Sequence, residues 1–280
     1  METELPSVIT EWAVPLASQR GTEWWASGTA VIVAPYLAIT AKHVIDDHWL
    51  RHQGDVPDSG EAVGEFSLVA FQAPQSGDAC LWAVRRIWPS PHTDVAFLKL
   101  VPWSVGAASY VWRWATINVL PPPVGSYVAA FGYHDSKIVA GNPIRWQHRA
   151  SNSFGRVRGV FSERRDTVLR DYPCFSVDAR FDGGMSGGPV FNEAGELCGL
   201  VCSSIPPVAP ETEHTSYVTT LWPALGTLLD LERQGCPPGR YPALELARGR
   251  QMVVRNWERV SVEWSDSGAS TVALVKEDAG

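Results

Sequence analysis

Little in this chain would take it to a membrane or to nucleic acid. The opening segment, Met1 to Ser18, begins with acidic Glu2 and Glu4 and lacks the basic start and apolar run of a secretory leader. No later window approaches the length of a membrane span. Charged residues make up only 19% of the chain and the formal net charge is −7, so the clustered cations that phosphate backbones require are missing. The basic residues that do crowd together, Arg156, Arg158, Arg164, Arg165 and Arg170, are interleaved with Glu163, Asp166 and Asp171 and read as a solvated loop face. Cysteine is scarce and odd in number, five in 280 residues. Cys80, Cys174, Cys198, Cys202 and Cys236 therefore read as reduced thiols, and the expected compartment is the cytoplasm. There is no fixed-period repeat and no low-complexity tract.

With 45% hydrophobic residues, the chain can bury a sizeable core. Short runs rich in Val, Ile, Thr and aromatics recur at Ser7–Pro15, Trp24–Val33, Leu37–Ala41, Phe66–Gln72, Asp94–Leu100 and Ser126–Tyr133. They continue at Arg156–Ser162, Cys174–Val177, Pro189–Phe191, Cys198–Ser203 and Thr215–Leu221, punctuated by Gly, Pro, Asn and Asp. Many short strands at this spacing predict an all-β barrel or sandwich. Three consecutive prolines in Pro121–Gly125 cannot continue a central strand and read as the link between two strand-rich blocks of similar size. Leucines at 221, 225, 228, 229 and 231 stand at largely helical spacing, with Gly235 as a stop, and predict a closing helix over 221–233. Beyond Cys236, Val260–Trp264 and Thr271–Val275 can pair as a hairpin across Asp266-Ser267-Gly268.

Three segments carry chemistry. Asp182-Gly183-Gly184-Met185-Ser186-Gly187-Gly188-Pro189 holds a serine hydroxyl between glycines, which permit the unusual dihedrals and close backbone approach that an exposed nucleophile needs. By itself this is equally the pattern of a flexible glycine loop. Leu37 to Val44 reads as a buried strand that delivers His43 at its end, and histidine is the base that titrates near neutrality. Thr93-Asp94-Val95-Ala96-Phe97-Leu98 sets a carboxylate at the start of an apolar strand, suited to fixing an imidazole tautomer. Asp46, Asp47 and Asp178 compete for that role. The first two lie too close to His43 in sequence to reach its ring easily, and Asp178 belongs to the strand leading to the serine loop.

These motifs resemble the trypsin-like, chymotrypsin-fold serine peptidases, especially bacterial forms of the HtrA and glutamyl-endopeptidase branches without a PDZ module. Residues 24 to 233 carry the likeness, and the order His43, Asp94, Ser186 is that of chymotrypsin. The resemblance implies two antiparallel six-stranded Greek-key β-barrels, about 1–120 and 121–235, followed by a short β-rich extension over 236–280. It implies that His43, Asp94 and Ser186 form a triad and that the N–H groups of Gly184 and Ser186 form an oxyanion hole. Arg180, Phe181, Cys202, Ser203 and Ser204 would line the substrate site, and substrates would be proteins or peptides in extended form. No cofactor is implied. The rival reading is a peptidase fold kept as a non-cleaving binding module.

The chain departs from the secreted trypsins at Met185, where they carry an Asp that pairs with a newly cut N-terminal amine. A thioether cannot make that ion pair, so any control must come from a regulatory partner or another signal. Arg180 near the base of the specificity pocket disfavours basic P1 residues. Aimed inward it would favour an acidic P1, and aimed outward it would pair with Asp178 or Asp182. The remaining histidines, His48, His52, His92, His134, His148 and His214, read as surface residues. His48 and His52 have i, i+4 spacing without the Glu of a zincin motif, and Cys198 with Cys202 match neither a zinc knuckle nor a redox pair, so no metal is expected. The tryptophans read as core and barrel-edge packing.

Overall fold

A computed structural model describes residues 9–20, 22–51, 60–61, 66–74, 79–139, 145–168, 170–205, 214–231, 239–265 and 270–275. His52, Cys236 and the hairpin turn at 266–269 lie outside the described residues. After a single helical turn at Ile9–Trp12 (α1), the first barrel is built from β1 (Ala13–Arg20), β2 (Glu23–Ala34), β3 (Leu37–Thr40), helix α2 (Lys42–Arg51), the short β4 (Gly60–Glu61), β5 (Phe66–Gln72), β6 (Cys80–Pro89) and β7 (Ala96–Pro102). The strands run in the order β6-β5-β1-β2-β3-β7, and β6 pairs with β7 to close the circle, with β4 hung on β6.

A turn of helix at Val105–Ala108 (α3) and β8 (Ile117–Asn118) lead to the second barrel. It comprises β9 (Tyr127–Val139), β10 (Arg145–Phe161), β11 (Cys174–Val177), β12 (Pro189–Phe191), β13 (Leu197–Ile205) and β14 (Thr215–Thr219). The order is β12-β9-β10-β11-β14-β13, closed by β12 on β13. The molecule is therefore all-β, with two closed six-stranded antiparallel barrels, as the resemblance implies. The prolines at 121–123 fall in irregular chain between β8 and β9.

Several strands are apolar on both faces because both faces are buried. In β2, Ala30 and Ile32 fill the first barrel, while their alternates Val31 and Val33 enter a second core shared with Phe131, Phe191, Leu197 and Leu200 of the other barrel. The interior of the second barrel holds Val128, Ala130, Phe175, Val190, Cys198 and Val218. Period-two alternation thus splits each such strand between a barrel interior and the seam between barrels. Fully buried Trp82 packs 4.6 Å from Trp112 and donates to Gln72 Oε1 at 3.0 Å.

The helix expected over 221–233 is not formed. Trp222–Gly226 make a 3₁₀ turn, with Pro223 in its first positions and Thr227 already extended. Leu228–Leu231 then form β15, paired with β16 (Gly239–Pro242). The leucine spacing fits both periods in part, but Leu229 is buried while Leu228 and Asp230 are half-exposed, the alternation of a strand. The partner strand that decides between them lies beyond residue 238. Within the segment Ser7–Pro15, the described residues begin with α1 at Ile9 before becoming a strand, whereas Val260–Trp264 (β18) pairs with Ser270–Leu274 (β19) as the hairpin reading expects.

The C-terminal residues do not stand apart. β17 (Val254–Arg255) adds to β8 in parallel, and Ile117 N–H donates to Val253 O at 2.9 Å. Leu244 and Leu246 of helix α4 (Leu244–Arg248), together with Met252 and Val254, join the core between the barrels. No helix among the described residues is long and apolar enough to cross a membrane.

Candidate active site

Strand β3 is buried throughout and ends at Thr40, and His43 follows in the first turn of α2. It is thus set by a strand-to-helix junction rather than by the strand end itself. The first N–H groups of a helix have no intrahelical acceptor, and Asp94 supplies one. Its Oδ1 accepts from His43 N–H at 2.9 Å while its Oδ2 lies 2.7 Å from His43 Nδ1. One carboxylate therefore holds both the main chain and the ring of the same residue. Asp94 is buried at 8% exposure, on a tight turn where Ser90 N–H donates to Val95 O at 2.8 Å. Burial works against charging His43, but the hydrogen bond and charge of Asp94, helped by Asp47 and Asp46, outweigh it and raise the ring's pKa above the usual 6.5. Asp46 is engaged by Lys42 at 2.8 Å, and Asp178 pairs with Arg158. Of the carboxylates that competed in sequence, Asp94 is the one hydrogen-bonded to the His43 ring.

The serine loop is held by main-chain contacts. Gly187 N–H donates to Val201 O at 2.8 Å, Val201 N–H to Gly188 O at 2.9 Å, and Thr29 N–H of the first barrel to Ser186 O at 2.9 Å. Gly184 and Gly187 have φ of +98° and +79°, where a side chain is disfavoured. A Cβ on Gly187 would stand 2.8 Å from the amide nitrogen of Ala41. That contact seats the loop two residues from His43. Met185, fully buried, occupies the position of the missing acid, and its Sδ accepts from Asp182 N–H at 3.3 Å. Among the described residues the N–H groups of Gly184 and Ser186 have no acceptor, and no hydrogen bond joins Ser186 Oγ to His43. Such bonds often tighten only when substrate arrives.

The other expected residues divide. Arg180 turns to solvent: its side chain is 69% exposed and its Nε lies 2.9 Å from Asp182 Oδ1. It borders a polar cleft with His134, Asp135, Asn152 and Ser153. Phe181 is buried and its N–H donates to Ser204 Oγ at 3.4 Å; Ser204 Oγ lies 2.9 Å from Ser216 Oγ. Ser203 Oγ accepts from buried Arg170 at 2.6 Å, and that guanidinium stacks 3.9 Å over Tyr217. Cys198 is a core thiol, but Cys202 is not: it is half-buried beside Asp94. Tyr172 completes this group, with its hydroxyl 3.0 Å from Cys202 Sγ and 3.5 Å from Asp94 Oδ2. Burial, then the charge of Asp94, pushes the tyrosine hydroxyl well above its ordinary range. Nothing around Tyr172 in the sequence marks it, since it lies in a loop far from all three motifs.

The chain matches the trypsin-like peptidase domain over residues 28–200, and it belongs to that family. Solved structures of similar fold include the Rv3671c protease of M. tuberculosis in its inactive form, 17% identical over 76% of this chain and 84% of that one, with a TM-score of 0.46. Others are Deg5, 14% identical over 69% and 80% with a TM-score of 0.48, and the protease domain of MamO from Magnetospirillum magneticum, 14% identical over 77% and 94% with a TM-score of 0.47. No curated relative matches the sequence.

Proposed function

We propose that the protein is a serine endopeptidase that cleaves extended protein segments through an acyl-enzyme, with His43, Asp94 and Ser186 as its triad. The double hold of Asp94 on His43, beside the seated serine loop, carries this reading. Asp94 keeps the proton of neutral His43 on Nδ1, so the lone pair of Nε2 is the one offered to the serine. His43 takes the Ser186 proton as Oγ attacks the scissile carbonyl, and Asp94 stabilises the imidazolium that forms. The N–H groups of Gly184 and Ser186, without acceptors of their own, receive the developing oxyanion. His43 then returns the proton to the leaving amine, and water reverses the sequence to release the acid.

The outer part of β13, Cys202 to Ser204, offers the substrate a strand to pair with. Phe181 and Ser204 line the pocket, and Arg180 stays at its rim. The free thiols Cys174, Cys198 and Cys202 suit a cytoplasmic enzyme. The Met185 thioether cannot pair with an N-terminal amine, so control of activity falls to a partner or signal rather than to a freed N-terminus.

A fluorophosphonate probe tests the proposal. Wild-type protein should be labelled at Ser186, and Ser186→Ala should lose both labelling and hydrolysis of an unfolded protein substrate, the latter by about 10⁶-fold. A wild-type protein that never labels, while remaining folded and binding peptides, would mark a non-cleaving module.

A further inference from the structure

Cys202 sits where a peptidase of this kind has no need of a thiol. Its Sγ, a carboxylate oxygen of Asp94 and a ring nitrogen of His43 all lie within 4.8 Å of one another. They come from three remote segments, β13, the turn before β7 and the start of α2, so no spacing motif announces them. Sulfur, imidazole nitrogen and carboxylate oxygen together form a donor set for a borderline-soft dication; magnesium and calcium prefer oxygen alone.

We propose that Zn²⁺ binds reversibly across His43, Asp94 and Cys202 and silences the enzyme by taking the nitrogen that Asp94 otherwise orients. The silencing rests on the peptidase reading above, whereas the binding does not. Zinc bonds of about 2.0–2.3 Å place tetrahedral donors roughly 3.4–3.8 Å apart. Asp94 Oδ2, now 2.7 Å from Nδ1, must therefore back off by roughly 0.7–1.1 Å, and the thiol must close in from within 4.8 Å. The carboxylate can pivot without losing its place, because Oδ1 remains tied to His43 N–H. The His43 side chain is 39% exposed, and water can take the fourth position.

Protons and charge balance. Without the metal the thiol keeps its proton, as an ordinary thiol does near neutrality. Zinc replaces that proton, which leaves for solvent, and no electron is transferred. The Nδ1 proton of His43 is also displaced and is carried on Nε2, so the ring stays neutral. One thiolate and one carboxylate then neutralise the dication, which suits a half-buried site. With Nε2 protonated, His43 can no longer accept the Ser186 proton. The metal would stop catalysis by inverting the tautomer, without having to block the cleft.

The full chain, stripped of metal with a chelator, is titrated with ZnCl₂ by calorimetry and with CoCl₂ by absorption. One zinc per chain is expected, and cobalt should produce a near-ultraviolet thiolate-to-metal charge-transfer band. Cys202→Ser should abolish the band and weaken zinc binding at least about tenfold, while Tyr172→Phe, which leaves all three ligands in place, should keep the band. Fluorophosphonate labelling should fall as zinc fills the site and return with EDTA. A wild-type cobalt complex without the band overturns the proposal, as does an undiminished band or zinc affinity in Cys202→Ser. The wild-type spectrum decides even if a variant fails to fold. If Ser186 never labels without metal, the peptidase reading fails and the cobalt spectrum still judges the site.

Discussion

The two barrels serve the cleft by different means. The first supplies His43 and Asp94 and fixes them to each other with side-chain hydrogen bonds. The second supplies Ser186 and fixes it with main-chain bonds and glycine contacts, several of them reaching across to Thr29 and Ala41 of the first. Chemistry on one side can thus be altered by exchanging one atom of a side chain. On the other side the shape of the backbone is what matters, and the smallest added group disturbs it.

Short of removing the nucleophile itself, the largest expected loss follows from Asp94→Asn, which should lower kcat by about 10⁴-fold with the fold retained, because the amide favours the wrong tautomer. Steady-state kinetics alongside circular dichroism measure this, and a loss below tenfold would mean that the ring is oriented by something else. Gly187→Ala should act through structure instead. Its methyl group would crowd Ala41 N at 2.8 Å from a residue with φ +79°, at a cost of about 2–4 kcal/mol from strain and overpacking. Urea denaturation reads it directly; a change under about 1 kcal/mol would contradict a tight seam.

Smaller in effect is the dependence on pH. Catalysis needs the neutral ring, and Asp94 favours the charged one, so kcat/KM should rise with pH through a midpoint above the ordinary 6.5. In Asp94→Asn the midpoint should drop, since burial, which opposes charge, is then less well countered. A pH–rate profile that is the same in both proteins would detach the titration from this pair. The smallest effect belongs to Arg180→Ala. With Arg180 turned to solvent, the ratio of cleavage after Glu to cleavage after Leu should change by less than about twofold, as an exposed ion pair contributes little. A large drop for Glu would show that the side chain swings inward on binding.

What could be read beforehand depended on how local the determinant was. Strand β11 (Cys174–Val177) and strand β12 (Pro189–Phe191) coincide with apolar runs that stop at turn residues. The three chemical motifs were legible because each carries its own context, glycines around Ser186 and buried strands beside His43 and Asp94. Strand β6 (Cys80–Pro89) escaped notice because Arg85, Arg86 and two tryptophans interrupt any clean alternation. The helix expected at 221–233 failed for a non-local reason, since Leu228–Leu231 are held extended by a strand from the far side of residue 238. Arg180 lies in the motif's register, yet Asp182 draws its guanidinium outward. Cys202 and Tyr172 converge only in three dimensions.

The parallel pairing of Val254–Arg255 with Ile117–Asn118 bears on where this protein can be cut. A version ending at residue 235 would strip the acceptor from Ile117 N–H and remove Leu244, Leu246 and Met252 from the core that Leu225 and Leu229 share. The core that holds the two barrels together therefore runs past the peptidase motifs, with Leu244, Leu246, Met252 and Val254 as a clasp at its back.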